Sequence, residues 1–523
     1  MASRERTGST AADGRPIIAG FFPDPSVCRF GDQYVLVHSS FEYAPGIPVW
    51  TSPDLIEWTQ LGNALDRPAQ LRLQATSRWL DGSEMATETG GLPPGSANTG
   101  NFAPTIRHHD GRLWLAVTNI SDFFGGPLVF TAESPAGPWS DPVQIPDLPG
   151  IDPDLFWDGD GVAHITVSSY AAGAPRVLSA PVDLESGTLL AAAQELWSGT
   201  GGQAPESPHL FAKDGWIYLL LAEGGTERGH AVTVARARTL AGPWEPAPDN
   251  PILTHRGLDR PVLNVGHADL VESRDGRWGM VYLGVRPRGF TGFHVNGRET
   301  FLAEVRWVDG WPVVDETGYG IPATDHSFED DFSGEELDPR WIAPGRLPES
   351  FTEPAHPGRW IFADGDPSPH HLLATRPRDD YWTAELELDS REGAAALTLR
   401  VDERHAAEVL VHGDTVESRI LVGDLERRVL GPAIGGAVTL YVAVEPTADP
   451  PLLRGPDRIE LGMLRDGQRV ALDRLDGRYL SVELAGGWTG RVVGVRALEG
   501  RTRISRFRYN ASATVVEHER DGA

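Results

Sequence analysis

The sequence predicts an all-β chain: a five-bladed β-propeller followed by a C-terminal β-sandwich of the lectin-like jelly-roll type. Three observations carry this expectation. A segment recurs five times in the first 324 residues, strict apolar and polar alternation follows it, and the composition includes 59 Gly, 42 Pro and 16 Trp, which favours short strands and many turns. At 523 residues the chain exceeds what one hydrophobic core usually fills, so two domains are expected.

Each repeat has a short polar start, usually with a Pro, then an apolar strand, a Gly-containing turn and a second apolar strand. The repeats are Asp24-Pro25-Ser26 running to Val37, Ala103-Pro104-Thr105 to Val117, Asp152-Pro153-Asp154 to Val167, Ser207-Pro208-His209 to Leu221, and His267-Ala268-Asp269 to Leu283. Their spacing suits propeller blades of four strands, some with long loops. A second punctuation lies between the starts, at Ser52-Pro53-Asp54 with Trp58, at Gly137-Pro138-Trp139 and at Gly242-Pro243-Trp244, and reads as outer-strand turns. A Pro at the beginning of a strand removes no ladder hydrogen bond.

The repeat stops after Thr324. Beyond it, Thr383-Ala384-Glu385-Leu386-Glu387-Leu388 and Ala396-Leu397-Thr398-Leu399-Arg400-Val401 alternate with period two, as sandwich strands do. The expected division is a disordered tail over 1–15, a propeller over 16–324 and a sandwich over 325–523.

Acidic residues outnumber basic ones 74 to 46, a formal charge of −28 that disfavours nucleic acid or an anionic membrane as partner and suits a neutral substrate. The single cysteine, Cys28, excludes an intrachain disulfide and reads as a buried structural thiol. The polar start, Met1 to Arg15, lacks the apolar core of a signal peptide, so a cytoplasmic enzyme is expected.

In a propeller the first strand of each blade lies innermost, so repeat-equivalent positions converge on the axis. That brings together Asp24, Ala103, Asp152, Glu206 with Ser207, and His267. Glycosidic cleavage needs one carboxylic acid to protonate the leaving oxygen and one carboxylate to activate water or attack the anomeric carbon. Glu206 suits the acid if a neighbour such as Asp152 raises its pKa, and Asp24 suits the base. Each Asp-Pro alone reads more simply as a turn; recurrence at equivalent positions is what points to chemistry. His267 can bind a metal ion, hydrogen-bond an acid or fill the channel. Arg286 can donate paired hydrogen bonds to sugar hydroxyls or form a surface ion pair. Phe102 can wall a sugar ring or belong to the core.

These residues resemble glycoside hydrolase family forty-three, in particular its two-domain β-xylosidases and α-L-arabinofuranosidases. The resemblance runs through Pro16-Ile17-Ile18-Ala19-Gly20-Phe21-Phe22-Pro23-Asp24-Pro25-Ser26, Ser39-Ser40-Phe41-Glu42-Tyr43, Gly150-Ile151-Asp152-Pro153-Asp154-Leu155-Phe156, Pro205-Glu206-Ser207-Pro208-His209-Leu210, Gly266-His267-Ala268-Asp269-Leu270 and Gly297-Arg298-Glu299-Thr300-Phe301-Leu302. It implies Asp24 as base, Asp152 as the residue that tunes the acid, Glu206 as acid, and hydrolysis with inversion. It further implies substrate contacts from Phe41, Phe102 and Arg286, and from Trp488 in the loop Gly487-Trp488-Thr489-Gly490, which would close the pocket to a dead end. No cofactor is required for this chemistry, although the family often carries a cation, such as calcium, near the axial His267. The implied substrate is a short xylo-oligosaccharide, with an arabinoxylan fragment as the alternative, and homo-oligomerisation stays open. Three features depart from the family: Phe102 replaces a usual Trp, the segment from Arg72 to Gly100 is long, and Asp154 adds a carboxylate near the acid-tuning residue.

Overall fold

The computed structural model describes residues 14–71, 98–170, 175–363 and 371–512. The tail expected over 1–15 falls almost wholly outside this range, as does most of the long segment from Arg72 to Gly100. Among the described residues no helix is long and apolar enough to cross a membrane.

Five antiparallel sheets make the propeller, and each opens with one of the repeats read from sequence. The innermost strands are Ser26–Phe30, Thr105–His109, Ile151–Trp157, Glu206–Lys213 and Leu263–Glu272. Each pairs outward with its next strand in the chain, from Gln33–Val37 in blade one to Trp278–Val285 in blade five. The prolines cause no loss because Pro25 and Pro104 precede their strands, while Pro153 and Pro208 occupy register shifts between Ile151 and Asp154 and between Glu206 and His209.

Every pair of neighbouring blades shares its own hydrophobic cluster. Val35 and Ile106 belong to the cluster between blades one and two, Val129 and Leu155 to the next, and Val177 and Leu219 to the third. Val232 and Met280 join blades four and five, and Leu36 with Val281 joins blade five back to blade one. The ring is also closed by backbone, since Ile17 and Ile18 N–H donate to Thr300 O at 2.9 and 3.3 Å and Thr300 N–H returns to Ile18 O. Buried aliphatic side chains at about 1.5–3 kcal/mol each therefore hold the ring at all of its seams.

The C-terminal domain is a β-sandwich whose two sheets share one long strand, Val492–Ala511. Its first half pairs with Gly393–Asp402 and its second with Trp382–Asp389, with register shifts where it passes from one sheet to the other. Trp382–Asp389 alternates buried and half-buried residues as read from sequence. Gly393–Asp402 does not, because both of its faces are covered. Thr398 donates to the buried Glu408, and Arg400 faces Glu42 of the propeller at 3.9 Å. Of these polar residues, Arg400 looks into the other domain and Thr398 into a hydrogen bond within its own, neither into water.

The seam between the domains is partly ionic. Asp457 accepts from Arg491 at 2.8 and 3.2 Å and from Arg288 of the propeller at 3.0 Å, with the aspartate fully buried. Removing the anion leaves two guanidiniums facing each other out of water, so Asp457→Ala is expected to cost about 3–5 kcal/mol. Urea unfolding followed by fluorescence checks this; a midpoint equal to that of the wild type would contradict it.

Candidate active site

Four of the five blade starts share an unusual backbone. Asp24, Asp152, Ser207 and His267 have φ of 56, 53, 54 and 48°, in the left-handed region that costs a non-glycine residue about 1–2 kcal/mol. The turn lifts each residue out of the ladder at the point where its strand reaches the axis. Three of these strands carry a register shift at the same place. The chain thus spends backbone strain where side chains converge, a pattern typical of functional sites.

They converge on a cavity of about 220 Å³ lined by Asp24, Asp152, Glu206, His267 and Arg298 from the propeller and Trp488 from the sandwich. Phe41, Phe102 and Ala103 also face it. The two phenylalanines touch, with ring centroids 5.0 Å apart, and form an apolar wall continuous with buried Phe21 and Tyr43. Phe41 itself is held at φ 50° by a bridge to Asn101. Trp488 is fixed by its own backbone: its N–H donates to Asn98 Oδ1 at 2.9 Å and its carbonyl accepts from Arg298 at 3.2 Å.

Asp24 is clamped. Arg298 reaches its two oxygens at 2.7 and 3.3 Å, Ser39 Oγ donates at 2.5 Å, and His267 Nδ1 stands 3.7 Å away. Burial alone would raise its pKa, but Arg298, His267 and Ser39 together hold it below the usual carboxylate range. Glu206 behaves in the opposite way. Burial first, then the negative charges of Asp152 and Asp24, push its pKa well above the usual value. Asp152 is itself raised to about 7, mainly by burial and then by Asp24, although it accepts Ser207 N–H at 2.9 Å. That hydrogen bond ties Asp152 to the residue next to Glu206. The site therefore holds one carboxylate kept ionised and one carboxyl kept protonated, the two states that acid–base cleavage requires.

Two expectations need correction. Arg286 does not face the cavity: its Nε and Nη2 donate to Glu299 at 2.6 and 2.9 Å, and its Nη1 meets Asp380 of the sandwich at 3.1 Å. The arginine at the cavity is Arg298, whose motif was legible but whose role was not. Asp154 does not sit beside Asp152 as a further cavity carboxylate; it points below, accepting from Arg107 at 2.6 Å and Leu210 N–H at 2.8 Å. Cys28 is buried as expected, and burial pushes its thiol up to about 12 despite Arg107 nearby.

The surroundings of His267 do not fit a protein-liganded cation. Its Nδ1 faces, at 3.7 Å, a carboxylate that Arg298 already occupies, and among the described residues no three His, Cys, Asp or Glu side chains group as metal ligands do. Residues the sequence reading missed are Arg298, Tyr170, Gln203, Thr226 and Glu227 at the cavity. Of these, only Arg298 lay in a segment already singled out.

A carboxyl pair of opposed protonation in a small cavity on a propeller axis is the arrangement that acid–base cleavage of a glycosidic bond requires. The chain belongs to the glycosyl hydrolases family 43, which it matches over residues 14–312. It is 42% identical over 362 residues to a xylosidase/arabinosidase of Butyrivibrio fibrisolvens, covering 64% of this chain and 65% of that protein. It is 39% identical to a non-reducing end alpha-L-arabinofuranosidase of Bacteroides ovatus, covering 58% of this chain and 53% of that one. The matches thus span between about half and two thirds of these relatives' lengths. Among solved structures, a Bacteroides ovatus xyloglucan PUL GH43B superposes with a TM-score of 0.82 at 29% identity, covering 95% of this chain and 99% of that one. A xylan beta-1,4-xylosidase from Bacillus halodurans gives 0.80 at 27%, with 95% and 99% covered.

The opposed protonation has a direct test. In Asp152→Asn a neighbouring negative charge is removed, so the ionised form of Glu206 becomes less costly and its carboxyl titrates at lower pH than in the wild type. In Arg298→Met the counter-charge is lost and Asp24 titrates at higher pH. Difference infrared titration of the carboxyl bands reads both, and movement in the other direction in either variant would contradict the assignment.

Proposed function

We propose that this chain is an exo-acting, inverting glycosidase that releases terminal xylose from short xylo-oligosaccharides. The observation that carries the reading is the cavity, which joins Asp24 and Glu206 in opposed protonation states within about 220 Å³. Pockets for drug-sized ligands run to about 300–1,000 Å³, so this volume suits a single sugar unit rather than a length of chain. Trp488 at its wall favours attack from the end of an oligosaccharide.

In this reading the terminal ring lies against Phe41 and Phe102. Glu206 donates its proton to the leaving glycosidic oxygen while Asp24 takes a proton from the attacking water on the opposite face of the ring. Bond breaking and bond making then occur in one displacement, and the anomeric configuration inverts. Asp152 keeps Glu206 protonated until the leaving oxygen takes the proton. Arg298, beside the base, keeps Asp24 ionised.

A second reading is release of terminal arabinofuranose from arabinoxylan fragments. It is favoured by the relative from Bacteroides ovatus, named a non-reducing end alpha-L-arabinofuranosidase, at 39% identity. The two pentoses present similar hydroxyls to the same carboxyls.

Comparison of kcat/KM on the p-nitrophenyl β-D-xylopyranoside and α-L-arabinofuranoside separates the two, with the xylopyranoside expected to win; a clear preference for the arabinofuranoside would replace the first reading with the second. Proton NMR of the first product is expected to show inversion. Glu206→Ala is expected to lose about 10²–10⁴-fold on xylobiose, whose leaving group needs the proton, and less on an activated aryl xyloside. Equal losses on both would remove Glu206 from the acid role.

A further inference from the structure

The innermost strands place side chains on the axis with period two, so the residues two positions beyond the blade starts form a second layer beneath the cavity. They are Ser26, Thr105, Asp154, His209 and Asp269, all buried. Arg107, two positions further along the inner strand of blade two, lays its guanidinium across this layer. Nη1 donates to Asp269 Oδ2 at 2.7 Å and to Ser26 Oγ at 3.3 Å. Nη2 donates to Asp154 Oδ1 at 2.6 Å and meets His209 Nδ1 at 2.9 Å. One cation from the second blade is thereby held by side chains of the other four.

The contact also sets the state of His209. Guanidinium nitrogens only donate, so toward Arg107 at 2.9 Å Nδ1 accepts, a shorter contact than its 3.3 Å to Asp154 Oδ1, and the ring proton of the neutral form then sits on Nε2. Among the described residues Nε2 is buried with no hydrogen-bond partner. The arginine in the lower layer thus touches the strand Glu206–Lys213, which also carries Glu206 and Ser207, whose N–H holds Asp152 at 2.9 Å. Two aspartates, an imidazole and a hydroxyl around one positive centre are groups of the types a divalent ion also takes, but among the described residues no three of the acidic, imidazole or thiol side chains group as metal ligands do. In this chain that set is taken by Arg107.

We propose that the Arg107 guanidinium is the built-in axial cation of this propeller, a positioning group that holds the floor of the cavity in place of a metal ion, so that hydrolysis needs no divalent cation. The activity arm of the test rests on the glycosidase reading; the unfolding and calcium-binding arms do not.

The full-length protein is dialysed against a chelator, and kcat/KM and Tm are measured with and without millimolar calcium chloride. The wild type is expected to stay within about threefold in kcat/KM, with its Tm unmoved. A larger loss that calcium restores would overturn the proposal. In Arg107→Met the two aspartates lose their shared cation, and Tm is expected to fall by about 6–12 °C. Calcium is then expected to raise the Tm of the variant, to give a binding isotherm by calorimetry, and to give neither effect in the wild type. A variant with wild-type Tm, or one no more responsive to calcium than the wild type, would overturn the proposal. If the variant does not fold, the chelation result on the wild type still decides. If the glycosidase reading fails instead, no turnover is seen under any condition, while the unfolding and calcium results keep their meaning.

Discussion

The structure depends on a constraint that is simple to state: five inner strands must reach one axis without their side chains colliding, yet must deliver chosen side chains to it. A left-handed residue at the mouth of four of those strands meets both demands. It turns one side chain into the cavity, and the period-two strand that follows sends the next to the layer below. Asp24 and Ser26, Asp152 and Asp154, and His267 and Asp269 are three instances of the same step. The local cost of each turn is about 1–2 kcal/mol, and it is borne by the hydrophobic clusters packed between every pair of blades.

The charges follow from this layering. Carboxyls brought together on a dry axis would repel, and two arginines prevent it at two depths. Arg298 neutralises Asp24 beside the cavity, while Arg107 neutralises Asp154 and Asp269 beneath it. With Asp24 held ionised, the next carboxyls in the same volume become harder to ionise, and the raised values of Asp152 and Glu206 are partly the consequence. Burial sets most of this protonation pattern, and the Arg298–Asp24 ion pair adds to it.

Much of this was legible in the chain. The five polar triplets located every blade, because a propeller repeats its local chemistry, and recurrence distinguished Asp24 and Asp152 from ordinary Asp-Pro turns. Trp488, Phe41 and Phe102 were also found at the cavity. What failed was the assignment of arginines. An arginine reaches far from its backbone, and its partner is chosen by whichever carboxylate the fold brings near: Glu299 and Asp380 take Arg286, and Asp24 takes Arg298. Arg107 was invisible for a related reason, since Ile106-Arg107-His108-His109 reads as a polar strand end until four other blades are placed around it. In the sandwich, alternation succeeded at Trp382–Asp389 and failed at Gly393–Asp402, where both faces are covered, Thr398 by Glu408 of the same domain and Arg400 by Glu42 of the propeller.

Trp488 stands only four residues before Val492–Ala511, the strand that binds the two sheets of the sandwich to each other. The cavity wall is thus mounted on the central beam of a domain that supplies none of the carboxyls. One wall of the cavity is encoded apart from its chemistry: the propeller can keep its acid, its base and its phenylalanine wall while the loop borne by that beam is exchanged. Lineages with the same catalytic residues thereby have a route to different chain-end preferences, altering the lid of the vessel and leaving its contents alone.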